Sequence, residues 1–234
     1  MTRKRIAVFA AGEQARRTIA DKLSDVEFEH FFVEVHAGGS ELKVPAIAKA
    51  IQSMAGQRDK PLLLIGAGFC RSLNPGFTSG SAVASDSSFL NDQELAQDLS
   101  GLLVGGISLP AAGLEIKSPS DLAASLAGKG FWRGSLVTAG RWDQPENANS
   151  YNALAMDGES ALLALLANDR GIPWLNIRVA AEACGLDSEA ANFSRADLLE
   201  VLSLKLLVAL STYDQMGPPS ACAGCSNPCG IFTR

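Results

Sequence analysis

The sequence lacks the features that mark several common classes of protein. Its 234 residues include 20 lysines and arginines against 25 aspartates and glutamates, and the net charge of -5 provides no basic surface for nucleic acid or an anionic membrane. No apolar run approaches the ~20 residues that a membrane span needs. The apolar residues 6–9 are typical of a strand rather than of a signal peptide. We therefore expect a soluble, cytoplasmic protein with no nucleic-acid or membrane partner.

Cysteines are few and unevenly placed. There are five, an odd number with three close together in the tail, and this pattern does not make a disulfide framework. Cys222, Cys225 and Cys229 have the spacing of metal ligands, but three thiolates are one short of a complete zinc or iron–sulfur site. The tail is expected either to bind a metal or cluster with a further ligand from elsewhere, or to be mobile or redox-active.

Familiar catalytic motifs are also missing. The sequence has no Gly-x-Ser-x-Gly, His-Glu-x-x-His or P-loop pattern, so serine hydrolase, zinc protease and P-loop NTPase activities have no support. Residues 66–68, Gly-Ala-Gly, follow an apolar strand as in dinucleotide-binding proteins, but the third glycine of that fingerprint is Arg71 here and no helix follows. A strand that ends in a flexible turn would explain the two glycines alone.

What the sequence does contain is an alternation of strands and helices. Hydrophobic residues make up 47% of the chain and charged residues 19%, enough for a large core. Apolar runs typical of strands occur at 6–10, 28–35, 61–65, 82–84, 136–138 and 174–180. Helical patterns, with their capping residues, occur at 13–23, 44–54, 118–127, 158–168 and 194–210. This order predicts one α/β domain, residues 1–217, and a Cys-rich tail, residues 218–234.

Two stretches resemble the nucleoside phosphorylase and nucleosidase superfamily. Residues 65–75 (IGAGFCRSLNP) and 80–86 (GSAVASD) are similar to a strand that ends in a small-residue loop, followed by Leu-x-Pro and then Gly-Asp-x-Val-Val. Farther along, 157–161 (DGESA), 171–173 (GIP) and 177–182 (IRVAAE) resemble the family's Asp/Glu-Met-Glu-Ser-Ala helix, its Gly-x-Pro and a strand that ends in Arg-x-Ile-Ser-Asp.

Between them, residues 138–142 (TAGRW) are similar to a Ser-Gly-Asp-x-Phe segment that lines the base pocket. Three motifs in the right order imply the family's fold, which is a three-layer αβα domain with a mixed, partly barrel-like central sheet. They also imply its activity, cleavage of the N-glycosidic bond of a purine-like nucleoside or derivative. No cofactor would be required, and a homodimer or higher oligomer is expected by analogy.

The chemistry of that reaction assigns roles to three glutamates. Bond cleavage builds positive charge on the sugar and negative charge on the base, so the site needs an acid near the base and an anionic group near the sugar. By resemblance, Glu159 would bind the ribose hydroxyls, Glu182 would protonate the base, and Glu13 would activate water. An acidic residue in the first turn of a helix is also favoured by the helix dipole, so a purely structural role stays open for each.

The resemblance also identifies residues that would line the substrate pocket. These are Gly68, Phe69, Cys70, Trp142 and Gly158, with Trp142 stacked on the base. Arg16 and Arg71 could hold a phosphate, but the family's phosphate-loop glycines are replaced, and hydrolysis is therefore favoured over phosphorolysis.

A second interpretation is a degenerate member of the family that binds a nucleoside or another metabolite without cleaving it. The residues that favour this view stand where the family has other residues: Arg71, Ser72, Gly158 and Ala181. In that case the Cys tail would be a metal or redox sensor.

Overall fold

A computed structural model describes residues 3–38, 44–55, 60–91, 93–100, 103, 113–118, 120–139, 151–182 and 193–217. The strands are β1 (Lys4–Ala11), β2 (Phe31–Gly38), β3 (Leu63–Ser72), β4 (Ala82–Ser85), β5 (Ser87–Leu90), β6 (Leu114–Lys117), β7 (Trp132–Arg133), β8 (Leu136–Thr138), β9 (Ala155–Asp157) and β10 (Trp174–Glu182). The helices are α1 (Glu13–Leu23), α2 (Val44–Ala55), α3 (Gln93–Ser100), α4 (Leu122–Leu126), α5 (Ser160–Asp169) and α6 (Arg195–Met216). In this part of the chain, no helix combines the length and the apolar character that crossing a membrane requires.

The described strands form one mixed sheet with β3 at its centre. Its main path runs β6-β5-β8-β9-β3-β10-β4-β7, and β1 and β2 extend it from β3. The sheet is open. Strands β1, β2, β3 and β10 are mutually parallel, whereas β4 and β9 run antiparallel to their neighbours β10 and β3.

Helices cover both faces of the sheet because successive strand residues point to opposite sides. On one face, Ile6, Val8, Ile65 and Ile177 pack against α1, α4 and α6. On the other face, Ala7, Phe9, Leu64 and Trp174 pack against α2, α3 and α5. The predicted three-layer αβα architecture with a mixed sheet is therefore confirmed.

The long helix α6 begins as the sequence predicts. The Ser194 hydroxyl accepts a hydrogen bond from the Asp197 N–H, and the Asp197 carboxylate accepts one from the Ser194 N–H, which is a complete capping box. At the other end, the Asp214 carboxylate accepts hydrogen bonds from the backbone N–H groups of Glu29 and His30. These two N–H groups are thereby taken from the sheet, and β2 begins at Phe31 rather than at residue 28 as predicted.

A break in strand pairing beside β3 positions the site. Along one edge, β3 pairs with β1 over residues 63–67 and with β9 only at 71–72. Its other edge pairs with β10 throughout residues 64–71. Between the pairings with β1 and β9, residues 68–70 of β3 have no strand partner along that edge among the described residues. The Glu159 side chain, two residues after β9, lies beside Gly68 at this edge.

Candidate active site

Asp157, the last residue of β9, is the fixed point of the site. It is 1% exposed. Its Oδ1 accepts hydrogen bonds from Thr138 Oγ1 at 3.0 Å and from the Ser160 N–H at 3.0 Å. A third bond to Oδ1 comes from the Glu159 N–H at 3.2 Å. Its Oδ2 accepts from the Ser160 hydroxyl and from Arg178 Nε, the latter at 2.6 Å. With five donors around it, this buried carboxylate holds the start of α5 against strands β8 and β10.

Arg178 lies in the middle of β10 and is completely buried. Its Nε donates to Asp157 Oδ2, and its Nη1 donates to the Ile177 carbonyl at 3.2 Å. Its Nη2 lies 3.1 Å from Glu159 Oε1. Burial lowers the pKa of Arg178, but the two neighbouring carboxylates raise it more, so the guanidinium stays charged. One buried cation therefore pairs with two carboxylates.

Glu159, the N-cap residue of α5, is the member of this network that stays open to a ligand. Its side chain is 17% exposed, compared with 1% for both Arg178 and Asp157. Burial raises the pKa of Glu159 from 4.5 to about 6, although Arg178 acts to lower it. At pH 7 the group is therefore mainly a carboxylate, and it can accept hydrogen bonds from hydroxyl groups.

A small cavity adjoins this carboxylate. It is lined by Phe9, Ala10, Ile47, Gly66, Glu159, Leu163 and Arg178. Its volume is about 10 Å³, which is room for about one water molecule. The cavity lies beside the carboxyl end of β1, where the parallel pairing of β1 with β3 stops, and α/β sheets commonly bind ligands beyond the carboxyl ends of their strands.

Gly66 and Gly68 are needed to make room for the polar side chains of this network. A Cβ on Gly66 would lie 2.3 Å from Asn176 Oδ1, and a Cβ on Gly68 would lie 2.8 Å from Glu159 Oε1. Side chains at these two positions would therefore collide with buried polar groups. The packing of the site explains the Gly-Ala-Gly sequence without a dinucleotide.

Replacing Gly66 by alanine is expected to destabilise the fold by about 1–3 kcal/mol, because the new methyl group overpacks against the buried Asn176 amide. Equilibrium unfolding in urea measures the loss. Gly158→Ala is the matched control, because nothing lies within 4 Å of a Cβ there, and its effect should stay within about 0.5 kcal/mol. In the Gly66→Ala background, Asn176→Ala should cost less than it does alone. A purely additive double variant would contradict this explanation.

The predicted pocket residues of β3 and α5 divide into two groups. Gly68 contacts the Glu159 side chain, and Gly158 lies between Asp157 and Glu159. Phe69, in contrast, packs into the core on the face of the sheet that α1 and α6 cover. Cys70 is completely buried, and desolvation strongly raises the pKa of its thiol. Of this set, the structure brings Gly68 to the Glu159 carboxylate, whereas Gly158 is close to Glu159 only as its neighbour in the chain.

Glu182 ends β10, and its backbone lies opposite Arg71 of β3. It follows Arg178 by four residues, which is about 13 Å along a regular strand. The Glu182 side chain lies outside the described residues, as do Trp142 and the cysteines Cys222, Cys225 and Cys229. Among the described residues, no cluster of His, Cys, Asp or Glu side chains could hold a metal ion.

Glu13 and Arg16 form an ion-pair cluster at the start of α1. Arg16 donates two hydrogen bonds to the Glu13 carboxylate, and Arg17 donates a third. These bonds lower the pKa of Glu13 to about 2. The Glu13 side chain is 49% exposed, and it does not line the cavity beside Glu159.

Sequence reasoning gave no role to Arg178, Asp157 or Asn176. Arg178 carried a signal nevertheless, since a charged residue in the otherwise apolar run 174–180 is costly to bury without a partner. That cost points to a nearby carboxylate. It does not identify Asp157 and Glu159, because their approach depends on how β9 meets β3.

Comparisons with known proteins give the class of fold. No family model and no curated sequence matches the chain. Solved structures match it nearly from end to end, and they are of the nucleoside phosphorylase/nucleosidase type, so the fold that the motifs predict is confirmed.

Three of these structures show how close the likeness is. The 5′-methylthioadenosine/S-adenosylhomocysteine nucleosidase of Campylobacter jejuni matches with a TM-score of 0.68 at 15% identity, over 91% of this chain and 99% of that one. The 5′-methylthioadenosine nucleosidase of Arabidopsis thaliana gives 0.68 at 16% identity, over 90% and 96%. The futalosine hydrolase of Helicobacter pylori gives 0.62 at 15% identity, over 89% and 96%.

Proposed function

We propose that the protein hydrolyses the N-glycosidic bond of a purine-like nucleoside or nucleoside derivative. The observation that carries the proposal is the partly open Glu159 carboxylate, which Arg178 holds beside the carboxyl end of β1. The fold supports it, since the similar structures are nucleosidases and a futalosine hydrolase by name. A fold can host several functions, so the site has to carry the argument.

The proposed role of Glu159 follows from the charge that develops on the sugar. As the glycosidic bond breaks, the ribose ring becomes cationic and its hydroxyl groups become better donors. A carboxylate that accepts hydrogen bonds from them therefore binds the transition state more tightly than the ground state. Arg178 and Asp157 fix the direction of this carboxylate, so little reorganisation is needed during the reaction.

Glu182 is proposed as the general acid that protonates the leaving base, with Trp142 stacked on that base. The position of Glu182 at the end of β10, beyond Arg178, suits a group that acts at the far end of the nucleoside from Glu159. A glutamate can perform this role if burial raises its pKa towards 7.

Water is the proposed nucleophile, and no cofactor takes part. Arg16 is already engaged by Glu13, which makes it a poor phosphate ligand. The activation of water by Glu13 stays a prediction. A carboxylate with a pKa of about 2 is a weak base, so Glu13 would have to exchange its arginine partners for the water before it could act.

Activity on nucleosides tests the proposal directly. The purified protein is incubated with adenosine, inosine, methylthioadenosine or futalosine, each with and without phosphate, and free base is measured by chromatography. Release of base without phosphate is the expected result. Release that requires phosphate would make the protein a phosphorylase and would contradict the proposed nucleophile.

Binding without cleavage is a second candidate function, and the ion pairs of Glu13 favour it, because a carboxylate whose pKa is lowered to about 2 is a poor base for activating water. Both candidate functions need more room than the cavity provides. A volume of about 10 Å³ beside Glu159 is far smaller than a nucleoside, so part of the site has to open before a substrate can enter. Saturable binding of a nucleoside in calorimetry with no release of base would favour this candidate. Formation of a homodimer or higher oligomer stays a prediction by analogy, and a cytoplasmic location stays a prediction from the sequence.

The pH dependence of activity should reveal the ionisation of Glu159. Its pKa of about 6 lies above the ordinary value of 4.5, and only the carboxylate accepts hydrogen bonds on both oxygens. We expect kcat/KM to fall as the pH drops through about 6. The effect of Glu159 on stability should have the opposite sign. Because its pKa is higher in the folded state than in the unfolded state, its contribution to the free energy of unfolding decreases as the pH rises from 4.5 to about 6. A pH–rate profile and urea unfolding at several pH values check the two signs.

A further inference from the structure

Glu159 occupies the N-cap position of α5, but its side chain does not cap that helix. An N-cap side chain ordinarily accepts a hydrogen bond from the backbone N–H of the second or third helical residue. In the described segment 157–163, the Glu159 carboxylate makes no such bond, and it pairs instead with Arg178, whose Nη2 lies 3.1 Å from Oε1. The N–H groups in the first turn of α5 therefore need other acceptors.

Two other side chains supply these acceptors. The N–H of Ser160, the first residue of α5, donates to Asp157 Oδ1 at 3.0 Å. The N–H of Ala161, the second residue, donates to Thr138 Oγ1 at 2.8 Å. Thr138 is the last residue of β8 and lies 23 positions earlier in the chain. A residue of a neighbouring strand thus accepts the hydrogen bond that the N-cap side chain would ordinarily accept.

The hydroxyl group of Thr138 bonds to the chain on both sides of Glu159. It accepts from the Ala161 N–H, two residues after Glu159, and it donates at 3.0 Å to Asp157 Oδ1, two residues before it. The backbone of Thr138 is fixed as well, because it lies opposite Asp157 in the parallel β8–β9 pair. Thr138 is completely buried, so solvent does not compete for either bond of its hydroxyl. One oxygen atom therefore connects both ends of the turn that carries Glu159.

We propose that Thr138 is a positioning residue for Glu159. By occupying the Ala161 N–H, it prevents the Glu159 carboxylate from capping its own helix and leaves that carboxylate for Arg178 and a ligand. The N–H groups at the start of a helix attract a carboxylate, because the helix dipole places positive charge there.

Without the Thr138 oxygen, the Ala161 N–H would need another acceptor. Asp157 is a poor candidate, because its two oxygens already accept five hydrogen bonds. The Glu159 carboxylate would then turn to the Ala161 N–H and leave Arg178. The effect of this change on turnover rests on the proposed function, whereas the direction of the Glu159 side chain does not.

Crystal structures of the wild-type protein and of Thr138→Val test this direction without any assay. Valine has nearly the shape of threonine but lacks the hydroxyl group. In the wild-type protein we expect a Glu159 oxygen within about 3.2 Å of Arg178 Nη2, and in the variant we expect it within about 3.2 Å of the Ala161 nitrogen instead. A Glu159 carboxylate that stays on Arg178 in the variant would overturn the proposal, and so would one that leaves Arg178 without reaching the Ala161 N–H.

Kinetics test the effect on the proposed reaction. Thr138→Val should lower kcat about 10- to 100-fold for the nucleoside that is cleaved best, with a much smaller change in KM, because a misdirected Glu159 loses contacts in the transition state. Thr138→Ser keeps the hydroxyl group and should retain most of the wild-type kcat. Thr212→Val is the matched control, because it makes the same change at a buried threonine of α6 whose hydroxyl donates to the Val208 carbonyl, and it should leave kcat unchanged.

The outcomes separate this inference from the proposed function. Should Thr138→Val fold and have a kcat no lower than that of Thr212→Val, the positioning role is wrong. Should Thr138→Val fail to fold, Thr138→Ala and Thr138→Ser decide, because these two variants differ only in the hydroxyl group, and equal kcat values overturn the role. A wild-type protein that releases no base refutes the proposed function, and the direction of Glu159 in the crystal structures still decides the role of Thr138.

Discussion

Glu159→Gln is expected to lower kcat/KM for nucleoside cleavage by about 100-fold or more, comparable to the loss of a single charge-stabilising group in other enzymes. The amide has the same shape, but it cannot offer a negative charge to the cationic sugar. Because the interaction strengthens in the transition state, most of the loss should fall on kcat. Steady-state kinetics with the best substrate measure it.

The fold should survive this substitution. Asp157 still pairs with Arg178 in the variant, so no buried cation is left alone. Glu200→Gln serves as the matched control, because Glu200 is an exposed residue of α6 that contacts Lys22. Should the two variants have similar kcat/KM values, Glu159 has no part in catalysis, and the argument for hydrolysis loses its main support.

Arg178→Met is expected to destabilise the protein by about 3–5 kcal/mol, the typical cost of removing one partner from a buried ion pair. The substitution leaves Asp157 and Glu159 close together without a cation, in a place where their side chains are 1% and 17% exposed. Urea unfolding at pH 7 measures the loss. Part of it should be regained at lower pH, where Glu159 takes up a proton.

Two further variants define how much of this effect is specific to the buried pair. Arg178→Lys keeps the charge but not the planar fork that reaches both carboxylates, so its stability should be intermediate. Arg133→Met breaks an ion pair with Asp86 that is largely exposed, and its unfolding midpoint should hardly change. A loss at Arg178 as small as that at Arg133 would contradict the importance of the network.

Much of the architecture could be predicted from local patterns. The apolar run at 6–10 is a strand, and Ser194 with Asp197 caps a helix, because each of these signals is contained in a few neighbouring residues. The strand predicted at 61–65 is longer than expected, since β3 begins at Leu63 and continues through the two glycines to Ser72. The sequence of residues 86–129 predicted few of the elements found there, which are the short elements β5, α3, β6 and α4. A short element has too few residues to show a clear hydrophobic period, so whether it forms depends on its contacts with the rest of the fold.

The site could be predicted only in outline. The motifs predicted that Gly68 and Glu159 both belong to the site, and the structure places the two side by side. The burial of Arg178 and the gap in pairing beside β3 depend on contacts between segments far apart in the chain. No local pattern contains that information. The ion pairs of Glu13 with Arg16 and Arg17 are, by contrast, readable from helical spacing.

The close approach of the Asn176 amide to Gly66 has a consequence for how such sequences can diverge. The space between the two strands has room for a large side chain at residue 66 or at residue 176, but not at both. Descendants of a common ancestor should therefore exchange size between the two sites, with a larger residue at 66 accompanied by a smaller or withdrawn one at 176. A paired change of this kind would mark distant relatives that overall identity is too low to reveal.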